Sequence, residues 1–288
     1  MDELITAFKT QGYLVLENLF DEHQLIDIQK KIDYFFDNNQ CLGDAINVLA
    51  LSPDELMTYG AIKEGAANSN PNYYIPNRRI RSGDKSYREL SLGQSLIEPL
   101  LNVPEIFDLI VNDEILGCVK EYFSSDMVKI GYVKVRRFYA NEVPDFDTNN
   151  FHIDDNSQNL IKAIIYLNDI TSIDDGVFCY VPGSQKNPIL EESFSDIHPY
   201  VRSDEQILQY YGVKSVKKIF GPRGTTVLAD TLGYHKGYKT RTRDRTVLYV
   251  NYVLEEEYNG TGIRQQVLKK SLHKRPELSE LFDFFEAV

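Results

Sequence analysis

The chain has 288 residues, 42% of them hydrophobic and 26% charged, which excludes a disordered protein and allows one large domain with a substantial core. Its formal net charge of −12 disfavours nucleic acid and anionic membranes as partners, because both bind to cationic surfaces. Three widely spaced cysteines, no secretory signal and no long apolar stretch predict a cytoplasmic protein with reduced thiols.

The first part of the chain predicts helices around one short strand. Residues 2–10 predict a helix, and residues 13–16 predict a strand after Gly12. Asp21 is a suitable N-cap for an amphipathic helix that reaches about Phe36, because apolar residues follow it at helical spacing. Residues 96–124 predict a further helical stretch, with Asp113 as the cap of its second half.

The segment between these helices is less regular and predicts a long loop. Residues 66–88 are rich in Asn, Pro, Gly, Ser and Tyr, and such loops are often functional. The loop contains Arg78, Arg79 and Arg81, which favour contact with an anionic or polar substrate if the loop is a lid. A solvated surface loop is the equal alternative.

Short apolar segments separated by turn residues begin at position 128 and predict an antiparallel barrel or sandwich. These predicted strands cover 128–139, 160–167, 177–181, 217–220, 225–229 and 246–254. The remaining residues, 263–288, predict a helix. The whole chain is therefore expected to form one domain, with a helical layer and lid over 1–127, a β core over 128–255 and a C-terminal helix over 256–288.

Two of the five histidines lie beside unusual local sequence in the β region. His152 and Asp154 are two positions apart, and such residues in a strand point to the same face; this period favours Asp154 over the adjacent Asp155. His235 follows the predicted strand 225–229, where a barrel can return the chain. Two imidazoles and one carboxylate on one face form the facial triad that holds Fe(II) in non-haem oxygenases, with positions left for a 2-oxo acid and O2. The remaining histidines are expected at the surface: His23, His198 and His273.

A 2-oxo acid co-substrate needs a second anchor for its far carboxylate, and an arginine binds a carboxylate through two parallel hydrogen bonds. Three arginines follow His235, at positions 241, 243 and 245. Arg245 lies where the last predicted strand begins, and a rigid strand start places a guanidinium reproducibly. Arg245 is therefore the favoured anchor, and Arg243, on the same side of the strand, is the alternative.

Four other polar residues are candidates for contacts with the co-substrate or the substrate. Lys134 and Arg136 share one face of the strand that precedes the metal motif, although two outward-facing solvated charges would show the same spacing. Tyr139 is suited to hydrogen-bond the co-substrate or to pack in the core. Lys162 leads an otherwise apolar strand, where it either enters the cavity and contacts substrate or marks the strand end.

At three segments the sequence resembles the phytanoyl-CoA dioxygenase family of Fe(II)- and 2-oxoglutarate-dependent oxygenases. Residues 8–25 (FKTQGYLVLENLFDEHQL) are similar to the family's opening helix, strand and helix. Residues 151–186 resemble its metal strand, its Asp-Gly turn and its Pro-Gly-Ser loop, and residues 224–252 resemble the region of the distal histidine and arginine. The resemblance implies a mainly β fold with flanking helices: a double-stranded β-helix, or cupin-like jelly roll, packed by N-terminal and C-terminal helices.

The resemblance also implies roles for four residues. His152, Asp154 and His235 would ligate iron, and Arg245 would bind 2-oxoglutarate. The implied reaction hydroxylates an unactivated C–H bond of a small polar or anionic metabolite and releases succinate and CO2. Related halogenases carry Gly or Ala where this chain has Asp154, so hydroxylation is favoured over halogenation, while desaturation, ring closure and epimerisation stay open.

Two departures from the family pattern, Ile153 in place of Gln and Gln185 in place of His, weaken any transfer of a family member's substrate. Two other classes of protein remain as alternatives: a cupin-type metal enzyme that does not use 2-oxoglutarate, and a catalytically silent jelly-roll binding protein. A nucleic-acid demethylase on the same barrel is disfavoured by the net charge of −12.

Overall fold

Two antiparallel sheets face each other at the centre of the molecule, and helices cover the outer face of the larger one. The computed structural model describes residues 2–38, 41–43, 88, 92–142, 147–154, 160–189, 201–212, 214–255 and 264–288. Within these ranges the larger sheet has seven strands, in the order β1-β10-β6-β12-β4-β3-β2, and the smaller sheet has five, in the order β8-β5-β11-β7-β9.

The larger sheet is built mostly from the long apolar segments that the sequence predicts as strands. Its strands in chain order are β1 (Tyr13–Leu16), β2 (Cys41–Gly43), β3 (Gly93–Leu96), β4 (Val128–Phe138), β6 (Leu160–Tyr166), β10 (Thr226–Asp230) and β12 (Arg245–Leu254). Strand β1 pairs with β10, so a segment from the N-terminal layer is part of the β core. The strands β2 and β3 extend the opposite edge beside β4.

The smaller sheet consists of strands that have only two or three residues each. In chain order they are β5 (Phe151–His152), β7 (Phe178–Tyr180), β8 (Val201–Arg202), β9 (Lys217–Ile219) and β11 (His235–Gly237). Three of them, β5, β8 and β11, are too short to show an alternating apolar pattern, so the sequence does not delimit them. All the pairings in this sheet are antiparallel.

The N-terminal helices form where the apolar spacing predicts them. Helix α1 covers Asp2–Gln11 and α2 covers Glu22–Asp37. The Asp21 side chain caps α2 by accepting a hydrogen bond from the Gln24 amide at 3.0 Å, which satisfies one of the free amides of the first turn. The buried residues of α2 recur every three or four positions and pack on the larger sheet: Leu25, Ile28, Ile32 and Phe36.

The predicted helical stretch 96–124 is divided into three helices: α3 (Pro99–Asn102), α4 (Ile106–Ile110) and α5 (Asp113–Phe123). Pro104 lies between the first two and has no amide to donate, which favours a break there. Asn112, not Asp113, caps α5, because its side chain accepts hydrogen bonds from the amides of Glu114 and Ile115. One further helix, α6 (Asp204–Tyr211), begins directly after β8.

The C-terminal segment differs from the single helix that the sequence predicts. Among residues 264–288 it contains a short helix α7 (Lys269–Leu272), a 3-10 helix (Pro276–Phe282) and a parallel pair of two-residue strands, β13 (Gln266–Val267) and β14 (Glu286–Ala287). Pro276 interrupts the helical pattern, and tertiary contacts fix the rest. The Gln265 side chain, for example, hydrogen-bonds both the amide and the carbonyl of Val133 on β4.

Alternation along the strands divides the core into two parts. On β4, Val133 and Val135 pack under the helices, whereas Phe138 faces the space between the sheets. On β6, Ile161 and Ile165 likewise face the helices, while Tyr166 faces the smaller sheet. Along β6, and along β4 beyond the register shift at Gly131, the even-numbered residues therefore face the space between the sheets. In the described part of the chain, no helix is long and apolar enough to cross a membrane.

Candidate metal centre

The two histidines of the predicted triad lie opposite each other on neighbouring strands. His152 ends β5 and His235 begins β11, and the two residues are direct Cα partners across the antiparallel pair. Partners of this kind have side chains on the same face of a sheet. The imidazole rings are 4.4 Å apart between centroids, and they face the space between the two sheets. The smaller sheet thus brings together two ligands that are distant in sequence.

Both imidazoles are oriented by the backbone. The Nδ1 atom of His152 lies 2.9 Å from the Asn150 carbonyl oxygen, and that of His235 lies 2.9 Å from the Gly233 carbonyl oxygen. A carbonyl oxygen only accepts, so each Nδ1 carries the proton and donates it. Each Nε2 atom is then left with a lone pair for a metal ion, which is the tautomer that metal-binding histidines use.

Asp154 completes the cluster from the segment that follows β5. Its amide donates to the Thr231 carbonyl oxygen at 3.0 Å, which ties this segment to the loop that leads to His235. Its Oδ1 atom lies 3.9 Å from Nε2 of His152 and 3.7 Å from Nε2 of His235. Its other oxygen, Oδ2, accepts a hydrogen bond from Nζ of Lys162.

The protonation states of the cluster suit a cation. Burial, together with the neighbouring His235, lowers the pKa of His152 to about 3, so this imidazole is neutral near pH 7. Burial acts to raise the pKa of Asp154, but Lys162 and the two imidazoles outweigh it and hold this pKa well below its ordinary value. A metal binds to neutral imidazoles and ionised carboxylates, and His152 and Asp154 are in these forms.

The donor set fits a divalent transition metal. One atom from each of His152, Asp154 and His235 lies within 4.8 Å of the others, and among the described residues no second group of three possible ligands is this close. Adjacent ligands of one ion are about 3 Å apart when the bonds are about 2.1 Å long, so small movements would complete the site. Two imidazoles and one carboxylate on one side are the set typical of non-haem Fe(II).

Arg245 lies in the same inter-sheet space at the start of β12. Its side chain is buried, and its Nη1 atom donates to the carbonyl oxygen of Gly176, whose φ of 82° suits the turn there. The guanidinium carbon is 4.2 Å from the centroid of the Phe138 ring. Nε of Arg245 is buried and has no hydrogen-bond partner among the described residues. A buried donor without a partner is costly, which favours a ligand at this position.

The strand that carries His235 runs past the Arg245 guanidinium. A Cβ atom added to Gly237 would lie 2.9 Å from Nη2 of Arg245, so only glycine lets the strand and the guanidinium approach this closely. Gly237 is two residues beyond His235 on β11, and two strand residues span roughly 7 Å. A five-carbon dicarboxylate can bridge this separation between the triad and the guanidinium.

A second guanidinium adds to the positive charge in this part of the cavity. Arg136 is buried on β4, two positions before Phe138, and its guanidinium carbon is 4.3 Å from the centroid of the same ring. Burial lowers the pKa of Arg245, and the charge of Arg136 contributes in the same direction. The repulsion between the two cations would be relieved by an anion, and this relief favours a carboxylate ligand.

The other predicted site residues fall into four groups. Lys134 and Lys162 lie on the same inter-sheet face as Arg136. Arg243 is half-exposed outside the cavity, where its Nε donates to Asp175 at 3.2 Å. Tyr139 follows β4 directly, packs in the core under the helices and donates to Gln94, so the structure does not bring it to the triad. The predicted lid residues lie outside the described residues: Arg78, Arg79 and Arg81.

Two polar residues on β12 also face the inter-sheet space, and neither is among the residues predicted from the sequence. Tyr249 is the Cα partner of Lys134, and Asn251 is the Cα partner of Lys162. Both follow Arg245 at even spacing, so their side chains share its face of the strand. The period-two pattern that began at Arg245 was the signal that could have identified them.

Comparison with known proteins supports the fold. No protein-family model matches the chain, and no curated protein matches it either. Solved structures do match. They include the non-haem α-ketoglutarate-dependent epimerase SnoN from nogalamycin biosynthesis, at 10% identity and a TM-score of 0.54 over 88% of this chain and 80% of that chain. The chain has the double-stranded β-helix fold of such enzymes.

Two further matches have the same fold and contain ligands. HygX from Streptomyces hygroscopicus, solved with nickel, 2-oxoglutarate and hygromycin B, has 17% identity and a TM-score of 0.52 over 93% of this chain and 90% of that chain. EctD from S. alaskensis, solved with Fe, has 15% identity and a TM-score of 0.55 over 89% of this chain and 78% of that chain. The predicted fold class is confirmed, while membership of the phytanoyl-CoA dioxygenase family stays a prediction.

Proposed function

We propose that the protein is a non-haem Fe(II) enzyme that uses 2-oxoglutarate and O2 to hydroxylate a C–H bond of a small polar or anionic molecule. The observation that carries the proposal is the presence, in one cavity, of the cluster of His152, Asp154 and His235 and of the buried guanidinium of Arg245. Solved proteins of this fold that bind iron or nickel and 2-oxoglutarate support it.

Different residues would bind the metal and the co-substrate. His152, Asp154 and His235 would hold Fe(II) on one side and leave positions for other ligands. Bound Fe(II) supplies the activation of O2: one oxygen atom enters the substrate as a hydroxyl group, and the other is used as 2-oxoglutarate becomes succinate and CO2. Arg245 would bind the far carboxylate of 2-oxoglutarate, and Arg136 would add charge beside it.

The polar or anionic character of the substrate is inferred from the wall of the cavity near the triad. The side chains of Lys134 on β4 and of Tyr249 and Asn251 on β12 face the inter-sheet space and are only partly buried. Farther along the same strands the face is almost fully buried: Val247 and Phe138 lie there, together with Arg136 and Arg245. Hydrogen-bonding groups at a partly open cavity favour a substrate that carries hydroxyl or acidic groups.

The first experiment is an anaerobic titration of the metal-free protein with Fe(II) and then with 2-oxoglutarate. The visible metal-to-ligand charge-transfer band should appear only after both additions, and it should be lost in His152→Ala. Iron binding without any effect of 2-oxoglutarate would favour a cupin-type metal enzyme. No iron binding at all would favour a catalytically silent binding protein and would remove the proposal.

The substrate is then sought by the release of succinate above the uncoupled background. A panel of small hydroxylated and acidic molecules should contain compounds that stimulate release. In Lys134→Met, we expect a higher KM for such a compound and an unchanged background, because the lysine contacts substrate and not the metal. Stimulation by apolar compounds alone would contradict the proposed substrate class.

A further inference from the structure

Lys162 lies on an interior strand of the larger sheet, and its side chain is directed at the candidate metal centre. It is carried by β6, where its Cα partners are Ala229 on β10 and Asn251 on β12. The side chain lies on the inter-sheet face and is 18% exposed. Because β6 is paired with a strand on each side, the backbone at Lys162 is held rigidly. This limits the positions that the ammonium group can reach.

The hydrogen bond from Lys162 gives the two carboxylate oxygens of Asp154 different neighbours. Nζ of Lys162 hydrogen-bonds Oδ2, whereas Oδ1 faces the Nε2 atoms of His152 and His235 at 3.9 and 3.7 Å. A carboxylate can bind a metal through one oxygen or through both. With Oδ2 held by an ammonium group, only Oδ1 is available to the ion.

We propose that Lys162 is a positioning residue that keeps Asp154 a one-oxygen ligand and so reserves a coordination position for the co-substrate. This role rests on the proposed function, because it presumes a metal and a chelating acid at the triad. It also differs from the substrate contact that the sequence predicts for this lysine. The ammonium group touches the ligand of the metal, and it acts on the co-substrate through Asp154.

Charge gives the proposal a distinctive consequence. Lys162 offsets the charge of Asp154, so its removal makes the cavity more negative by one unit. A divalent cation would be bound at least as tightly in the absence of this lysine. A dianionic co-substrate would be bound less tightly, both because of the added negative charge and because Oδ2 would compete for its coordination position. Metal and co-substrate affinities therefore respond in opposite directions, whereas a lysine that only maintains the fold would affect both in the same direction.

The test compares three substitutions of Lys162 with a matched control. Lys162→Met removes the charge and the donor, Lys162→Gln keeps a donor without charge, and Lys162→Arg keeps both. Lys120→Met makes the same chemical change on α5, where that lysine is partly exposed and pairs with Asp126. Three quantities are measured for each protein: the melting temperature without metal, the Kd for Co(II), and the Kd for 2-oxoglutarate from the charge-transfer band of the Fe(II) protein.

In Lys162→Met we expect a Kd for 2-oxoglutarate about tenfold higher, a change of about 1.4 kcal/mol, with a Kd for Co(II) equal to or lower than that of the wild type. Lys162→Arg should restore 2-oxoglutarate binding to within about threefold, and Lys162→Gln should fall between Arg and Met. If Lys162→Met is too unstable to purify, the Gln and Arg variants carry the comparison.

Three results would overturn the proposal: weaker binding of Co(II) together with a lower melting temperature, unchanged 2-oxoglutarate binding, or no rescue by arginine. Failure of the proposed function is seen separately, in the wild-type protein. If the wild type shows no charge-transfer band with 2-oxoglutarate, the function is wrong. If the wild type shows the band and the Met and Gln variants match it, only the role of Lys162 is wrong.

Discussion

His152 and His235 are direct partners across the antiparallel pair of β5 and β11, with their rings 4.4 Å apart. The candidate metal centre therefore depends on one strand pairing, and the register of that pairing decides whether the two imidazoles meet. A slip of one residue would turn one imidazole to the other face of the sheet. The hydrogen bonds from each Nδ1 to its own segment fix the rings without help from the rest of the cavity.

We predict that His152→Ala reduces the affinity for Fe(II) by at least about a hundredfold, because it removes one of three ligands. His273→Ala is the control, since that histidine lies in the C-terminal segment and not among the clustered ligands. Anaerobic titration with Fe(II), and with Co(II) as a spectroscopic substitute, measures both variants. Equal affinities in the two variants would show that the metal is held elsewhere.

For the co-substrate anchor, Arg245→Lys should raise the Kd for 2-oxoglutarate by about ten- to a hundredfold, because an ammonium group cannot make two parallel hydrogen bonds to a carboxylate. Arg243→Lys is the matched control, and we expect it to bind 2-oxoglutarate like the wild type because Arg243 is half-exposed and bonds to Asp175. The charge-transfer band gives both constants. A larger loss in the Arg243 variant would reverse the assignment.

Gly237→Ala is predicted to weaken 2-oxoglutarate binding about tenfold while leaving the affinity for Fe(II) within about threefold. The added methyl group would lie 2.9 Å from Nη2 of Arg245 and would displace the guanidinium, whereas the triad is untouched. In Gly117→Ala, on α5, the new methyl group meets nothing within 4 Å, so this variant should bind both ligands normally. The idea fails if the two alanine variants have the same Kd for 2-oxoglutarate.

Asp175 is predicted to make stability depend on pH. Its carboxylate accepts hydrogen bonds from the amides of Thr171 and Ser172, each at 2.9 Å, and holds the turn that presents the Gly176 carbonyl to Arg245. Burial acts to raise its pKa, but these hydrogen bonds outweigh it and bring the pKa below its ordinary value of 3.8. The folded chain then binds fewer protons than the unfolded chain, so the stabilisation is complete above about pH 4 and is lost as the pH falls below it.

Asp175→Asn should therefore lower the free energy of unfolding at pH 7 by about 2 kcal/mol, because the new amide group cannot accept from all the donors that the carboxylate satisfies. Urea unfolding of both proteins between pH 7 and pH 3 measures the difference. The gap between wild type and variant should narrow as the pH falls below 4. A gap that is constant over this range would show that the charge of Asp175 does not contribute.

Much of the larger sheet was predictable from its long strands. Along them, apolar residues that pack under the helices alternate with residues that face the smaller sheet. The segments 128–139 and 160–167 correspond to β4 and β6 within one residue at each end. The helical stretch 96–124 was predicted with too few interruptions, because the breaks at Pro104 and Asn112 each depend on a single residue. The C-terminal helix was wrong, because contacts such as those of Gln265 with β4 outweigh the weak helical pattern there.

At the site, the sequence by itself determined which residue types are available for the proposed chemistry. Two histidines and a carboxylate at the right spacing define a donor set, and an arginine at a strand start defines an anchor for a carboxylate, whatever their distances. The same spacing did not determine which neighbours would matter, and for each of Lys134, Lys162 and Tyr139 it left a structural alternative open. In the structure, Tyr139 packs behind the larger sheet, whereas Lys134 and Lys162 face the cavity. This difference follows from strand direction and pairing.

Only the tertiary structure decided the arrangement. The pairing of β5 with β11 brought the imidazoles together, and the pairing of β6 with β12 placed Lys162 beside Asn251 and against Asp154. The same packing excluded Arg243 and buried Arg245 against Gly237. Residue types fix which bonds are chemically possible. Which distant segments come into contact is decided when the sheets pack together, because burial and strand register, and not local spacing, determine those contacts.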